Sequence, residues 1–158
     1  METDKAEPSR VAHAAAMLHA HRIMAISTLR PDGWPQNTIV GYANNGLRIY
    51  FLTFRTSQKF SNIENDDRVS IAIGEEPRDI REIRAVMAGA HAFEVTDERE
   101  REFAWRLLMK RHPNLRDFEL PDRLETAMMA ADCRYLSLLD YTKGFGHSEA
   151  LTIDSAEA

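Results

Sequence analysis

The sequence lacks several features that mark common classes of protein. It contains one cysteine, Cys133, which excludes an intramolecular disulfide and a cysteine-rich metal site. No apolar run approaches the roughly 20 residues of a membrane-spanning helix. The first residues, with an early acidic pair, do not resemble a signal peptide. We therefore expect a cytoplasmic protein with no membrane partner.

Several signatures of catalysis and nucleotide binding are also missing. The chain has neither the G-x-S-x-G motif of a nucleophile elbow nor a P-loop or G-x-G-x-x-G motif. Its six histidines show no close pairing with carboxylates or cysteines, so we predict no metal site. Twenty basic and 25 acidic residues give a net charge of −5. Because nucleic-acid-binding domains usually have a basic excess, we expect no nucleic-acid partner.

The 158 residues have the length of a single domain, 1–158, with expected flexible ends at 1–8 and 155–158. Along the chain the hydrophobic period changes several times between that of a helix and that of a strand. Four helices are predicted. The first covers residues 9–21 with Ser9 as its cap, and a short second helix follows a cap at Ser57. The third runs from Thr96 or Asp97 to Arg111, and the fourth covers residues 120–131. Strands are predicted over residues 23–28, 36–43, 47–53, 68–74, 83–95 and 133–140, with a seventh in the run FGHSEALTI as an alternative.

These elements predict an α+β protein that is mainly β. Six or seven mostly antiparallel strands with short flanking helices are typical of a small barrel. The first three strands are expected to form a meander, whose second turn is Asn44-Asn45-Gly46. Gly89, in the middle of the fifth strand, indicates a bulge or bend. We expect Trp105 and Cys133 to be buried, whereas Trp34 follows a turn and could cover an interface.

The segment T-F-R-T-S-Q-K, residues 53–59, has the chemistry most typical of a binding site. It joins a predicted strand to a predicted helix, so the first amides of that helix point into the turn. Thr56 and Ser57 offer hydroxyl groups, and Arg55 and Lys59 offer positive charge. Helix amides, hydroxyls and a cation are the groups that bind phosphate. From the pattern alone, the alternative is a capped helix with two solvated cations.

Residues 23–74 resemble the pyridoxamine 5′-phosphate oxidase-like superfamily of FMN-binding split barrels. The resemblance rests on an ordered set of motifs: IMAIST, D-G-W-P at residues 32–35, the hairpin QNTIVGYANNGLRIYFLT, T-S-Q-K at 56–59, N-x-x-N-D-x-R-V-S-I at 62–71, and G-A-H-A at 89–92. It implies a homodimer of six-stranded antiparallel split β-barrels with FMN at the subunit interface. It also implies an oxidoreductase that acts on a small substrate.

The resemblance further implies which residues bind FMN. The isoalloxazine ring would lie along the second strand, and the ribityl phosphate would lie in the turn that follows the third. The implied ring contacts are Asn37, Thr38, Ile39 and Val40, and the implied phosphate contacts are Thr53, Phe54, Arg55, Ser57, Gln58 and Lys59.

Two departures from the family pattern bear on the activity. Pyridoxamine phosphate oxidases carry an arginine on the second strand, where this chain has Asn37, and their C-terminal arginine- and histidine-bearing signature is replaced by EALTIDSAEA. Pyridoxamine phosphate oxidation is therefore not expected. The late side chains Tyr141, Lys143, Phe145 and His147 either reach the partner's flavin or close the barrel. The alternatives to FMN are the deazaflavin F420 on the same fold, and a non-catalytic flavin- or heme-binding protein with His147 or His91 as a ligand.

Overall fold

The computed structural model describes residues 7–153, which contain three α-helices, three short 3-10 helices and eight strands joined by loops. The α-helices are α1 (Pro8–His19), α2 (Gln58–Asn65) and α3 (Glu98–Arg111). The strands are β1 (Ile23–Leu29), β2 (Pro35–Gly41), β3 (Ala43–Asn45), β4 (Arg48–Phe54), β5 (Arg68–Gly74), β6 (Arg84–Glu94), β7 (Thr126–Asp140) and β8 (Ser148–Thr152). The predicted flexible ends lie almost wholly outside the described residues. No helix within 7–153 is long and apolar enough to cross a membrane.

All eight strands belong to one antiparallel sheet that curls into a half-barrel. Its order is β2-β1-β5-β6-β7-β4-β3, and β8 also pairs with β7. The 15-residue β7 is the central strand of this sheet. β6 pairs with its residues 129–140, β4 pairs with its first half, and β8 pairs with its second half. The predicted α+β split barrel is confirmed, with eight strands in place of six.

The helices begin where local sequence chemistry indicates. The Ser57 hydroxyl accepts a hydrogen bond from the amide of Phe60 and caps α2. The Asp97 carboxylate caps α3 in the same way through the amide of Glu100. For α1 the predicted Ser9 cap is wrong. Glu7 occupies the cap position and Pro8 the first turn, because the fixed backbone angle of proline suits a helix start.

The predicted helix over residues 120–131 is wrong. Residues 120–125 contain no helix, and from Thr126 onward the chain forms the start of β7. Every residue over 126–131 is buried, because one face of this strand lies in the barrel and the other lies under α3. A strand that is buried on both faces is a continuous apolar run, and such a run has no alternation to distinguish it from a buried helix.

The predicted three-stranded meander is also wrong. β1 and β2 form a hairpin, but β4 pairs with β3 and β7, and the other neighbour of β1 is β5. The predicted second strand is divided at Tyr42, whose side chain is fully buried and whose hydroxyl donates to the carbonyl of Leu18 on α1. The chain therefore changes direction there to meet a helix. The predicted turn at Asn44-Asn45-Gly46 is confirmed between β3 and β4, where Gly46 has φ of +59°.

Two apolar clusters hold the fold together. The larger fills the barrel and includes α1 and α2 side chains such as Leu18 and Phe60. The smaller lies between α3 and the outside of β3, β4 and β7 and contains Trp105, which confirms its predicted packing role. Cys133 is 2% exposed, as expected, and burial raises the pKa of its thiol to about 12. The predicted bulge in β6 is confirmed between Gly89 and Ala90.

Candidate functional site

The turn over residues 53–59 joins the end of β4 to the start of α2 and is held by its own hydroxyl groups. The Oγ1 of Thr53 and the Oγ of Ser57 lie 2.9 Å apart, and the Ser57 Oγ accepts from the amide of Phe60 at 3.1 Å. The backbone amides of Gln58 and Lys59, in the first turn of α2, have no carbonyl acceptor within the helix. They therefore present partial positive charge at this turn.

Lys59 is the cation of this turn that faces β2. Its Nζ donates to the Oγ1 of Thr38 at 3.3 Å, so the structure brings together one predicted phosphate contact and one predicted ring contact. Burial lowers the pKa of Lys59 below its ordinary value of 10.5. Within residues 7–153 Lys59 forms no ion pair with a carboxylate. A desolvated ammonium group without a counter-charge is a favourable place for an anion.

Arg55, the other predicted cation, faces away from β2. Its guanidinium forms a two-pronged ion pair with Glu94 at the end of β6, in which Nη1 to Oε2 is 3.1 Å. It also donates to the carbonyl of Arg123 and lies 5.5 Å from the centre of the Phe60 ring. Arg55 therefore fastens the turn to β6 and to the segment before β7.

The predicted ring-contacting strand, β2, is the terminal strand of the sheet. Its inner neighbour is β1, with Ile39 opposite Ala25. No strand of the described chain pairs with its outer edge, which therefore presents free backbone N–H and C=O groups. Asn37 and Ile39 are exposed on one face of β2, and Thr38 and Val40 are half-buried on the other.

Three further predicted residues have defined surroundings. Phe54 is 66% exposed at the end of β4. Gln58 donates through Nε2 to the Oδ1 of Asn62 at 2.8 Å. Asn62, a fully buried amide that joins α2 to β1 and β2, is a residue whose role sequence reasoning missed. The helical period predicts only Phe60 and Ile63 as inward residues of α2, and nothing local indicates that a neighbouring amide is buried too.

The late side chains lie far from residues 53–59 within one chain. Thr126, at the start of β7, pairs with Phe54, whereas Asp140 ends β7. Fourteen strand steps separate the two ends, a path of about 45 Å at the usual rise per residue. Beyond Asp140, the Tyr141 and Phe145 rings pack 5.2 Å apart. A role for these side chains at a flavin would therefore require the site of another chain.

The described residues contain no group of three or more His, Cys, Asp or Glu side chains placed to hold a metal ion. The groups at residues 53–59 are instead of the kinds that can bind a phosphate group. They consist of an ammonium group, hydroxyls and helix amides, and they adjoin an open strand edge along which a planar ring could hydrogen-bond.

The model of the pyridoxamine 5′-phosphate oxidase family matches residues 11–137. This chain belongs to that family. The matched range contains β2, the 53–59 turn and Asn62. A comparison with curated proteins gave no match.

Solved structures with this fold include proteins of different kinds. A heme-binding protein from Mycobacterium smegmatis gives a TM-score of 0.76 at 19% identity, over 93% of this chain and 59% of that one. The conserved hypothetical protein Rv2991 from Mycobacterium tuberculosis gives 0.73 at 20% identity, over 100% and 99%. A FAD-binding protein from Mesorhizobium loti gives 0.63 at 20% identity, over 80% and 90%. At these identities the likeness establishes the fold alone.

Proposed function

We propose that this member of the family binds FMN and acts as a flavin-dependent oxidoreductase on a small substrate. The observation that carries the proposal is the contact between Lys59 and Thr38 at the start of α2. A phosphate monoester carries roughly 1.5 to 2 negative charges near neutral pH. It would supply the counter-charge that Lys59 does not find within residues 7–153.

Each half of the proposed site has its own task. Lys59, the Thr53 and Ser57 hydroxyls and the first amides of α2 would hold the phosphate. The open edge of β2, residues 37–40, would orient the ring through its backbone groups. Phe54 and Gln58 remain predicted contacts, and Arg55 would support the turn through Glu94 instead of binding phosphate itself. When bound, FMN would supply the redox chemistry, and the chain would supply binding and orientation.

We also propose that two copies of the chain pair through the outer face of the sheet. Two adjacent rows of side chains cross six strands on this face without a single charged residue. In register, the rows are Ile39, Ala25, Ala72, Met87, Ser137 and Ala150, and Asn37, Ser27, Ser70, Gly89, Tyr135 and Thr152. Ile39, Met87 and Tyr135 remain 67%, 47% and 58% exposed.

An uncharged face can meet its own copy about a two-fold axis without like-charge repulsion. Because the face includes Asn37 and Ile39 of β2, the proposed flavin site would lie at its margin, next to the partner. Met87→Glu should convert a dimer to a monomer in light scattering. Leu124→Glu, at a residue that is 84% exposed in the segment before β7, should not. A wild-type chain that is monomeric at all concentrations would refute the pairing.

A second candidate function, heme binding, is favoured by the surroundings of His91. Its Nδ1 lies 2.9 Å from the Oδ1 of Asp67. This arrangement orients the ring, and no residue within 7–153 bonds to its Nε2, as in many metal-ligating histidines. The absorption spectrum of the purified and reconstituted protein separates the candidates. Flavin bands would support our proposal, a Soret band would support heme, and a protein that takes up neither would refute both.

A further inference from the structure

The Asn62 side chain is fully buried and forms three hydrogen bonds. Its Nδ2 donates to the Oγ1 of Thr28 at 3.0 Å and to the Oε1 of Gln36 at 3.1 Å. Its Oδ1 accepts from the Nε2 of Gln58 at 2.8 Å. An asparagine side chain has two donors and two acceptor positions, so three of its four hydrogen bonds are made inside the protein.

The partners of Asn62 belong to the two halves of the proposed site. Thr28 and Gln36 face each other in the ladder between β1 and β2, so Asn62 donates to both members of one cross-strand pair. Gln36 immediately precedes residues 37–40 of β2, the half that would contact the ring. Gln58 lies between Ser57 and Lys59, in the half that would contact the phosphate.

We propose that Asn62 is a positioning residue, which fixes the distance and angle between the open edge of β2 and the start of α2. This inference rests on the proposed function, since it concerns how one ligand would span both halves. Ring and phosphate reinforce each other only when the protein holds their two contact regions at the spacing of the ligand. Directional hydrogen bonds on three sides fix that spacing more closely than apolar packing does.

The test measures each half of the ligand separately. Dissociation constants for FMN, riboflavin and inorganic phosphate are compared among wild type, Asn62→Leu and Gln36→Leu. Riboflavin probes the ring half alone, and phosphate probes the 53–59 turn alone. We expect FMN affinity to fall at least about tenfold in Asn62→Leu, because simultaneous engagement is lost. The affinities for riboflavin and for phosphate should change little. Gln36→Leu, at a half-exposed residue, cuts only the link to β2 and should show the same pattern more weakly.

Leu108→Ala is the matched control. It removes a buried side chain from the cluster under α3, which contains no residue of α2, β1 or β2. The control should lower stability and leave the ratio of FMN to riboflavin affinity unchanged. If Asn62→Leu also leaves that ratio unchanged, Asn62 is only structural and the inference fails, while the proposed function stands. If Asn62→Leu does not fold, an unchanged ratio in Gln36→Leu overturns the inference. If wild type binds FMN no better than riboflavin, the proposed function fails and the inference fails with it.

Discussion

Replacing Lys59 with methionine should change stability and flavin binding in opposite directions. Methionine keeps the long unbranched stem that is half-buried against β2 and removes the charge. Among the described residues the ammonium group makes one hydrogen bond, 3.3 Å long, to Thr38. A bond at the long end of the normal range is worth about 0.5 kcal/mol. Removing the desolvated charge offsets this loss, so the free energy of unfolding should stay constant or rise by up to about 1 kcal/mol.

The same substitution should weaken FMN binding. Loss of a charged hydrogen-bonding partner costs about 1.5–3 kcal/mol, which corresponds to a factor of about 10 to 140 in the dissociation constant. Riboflavin affinity should not change, because riboflavin has no phosphate. The measurements are urea unfolding and fluorescence titration with both ligands. A variant that loses more than about 1.5 kcal/mol of stability, or that binds both ligands equally weakly, would show that Lys59 serves the fold.

The stability difference should also depend on pH. Because burial lowers the pKa of Lys59 in the folded protein, the unfolded chain binds the proton more tightly. The cost of the buried charge is present below the folded pKa and disappears as pH rises through it toward the ordinary value of 10.5. The stability advantage of Lys59→Met should therefore shrink as pH rises toward that value. An advantage that grows with pH would contradict the assigned burial.

Two predictions concern the fold, and a third concerns the pairing of two chains. A Cβ at Gly89 would lie 2.2 Å from the Tyr135 ring. Because this ring is the end of a side chain that is 58% exposed and can rotate aside, Gly89→Ala should cost only about 0.5–1.5 kcal/mol in chemical unfolding. Most of that cost should vanish in a Tyr135→Ala background, and an equal cost in both backgrounds would contradict the contact. Cys133 should not react with a thiol reagent at about pH 8 until the protein unfolds, and fast labelling of native protein would show that β7 opens. Met87→Glu should make the chain monomeric in light scattering, whereas Leu124→Glu should not.

Local chemistry made much of the fold predictable. The residues around Ser57 predicted the helix cap there, and this cap predicted the strand–turn–helix arrangement of residues 53–59. β5 alternates strictly between buried and exposed residues, so its period identified it. Gly89 indicated the bulge in β6 for the same local reason, since glycine lets another side chain approach the backbone closely.

Strand pairing could not be derived in the same way. β4 pairs with β7, some 80 residues later, and Asn44-Asn45-Gly46 defines only the short hairpin from β3. Residues 126–131 were predicted as helix because the cover provided by α3 removes the alternation of a one-sided strand. The pairing of β4 with β7 and the burial of both faces of residues 126–131 depend on tertiary contacts. The hydrophobic period of a short segment carries no information about such contacts.

The candidate site shows the same limit. Its residue types were predictable, but the direction of each side chain was not. Arg55 and Lys59 look equivalent in the sequence, yet Arg55 pairs with Glu94, 39 residues away, and Lys59 contacts Thr38, 21 residues before it. Asn62 was overlooked because its partners lie on three different elements. Long-range contacts separate the cation that supports the turn from the cation that faces the proposed ligand.

The most direct test of the account consists of two separate calorimetric titrations of the ligand-free wild-type protein, one with FMN and one with riboflavin. We predict one FMN per chain and a dissociation constant for riboflavin at least about tenfold higher, because only FMN has the phosphate that Lys59 and the start of α2 would bind. Equal affinities, or no uptake of FMN, would contradict the central claim that residues 53–59 form a phosphate site.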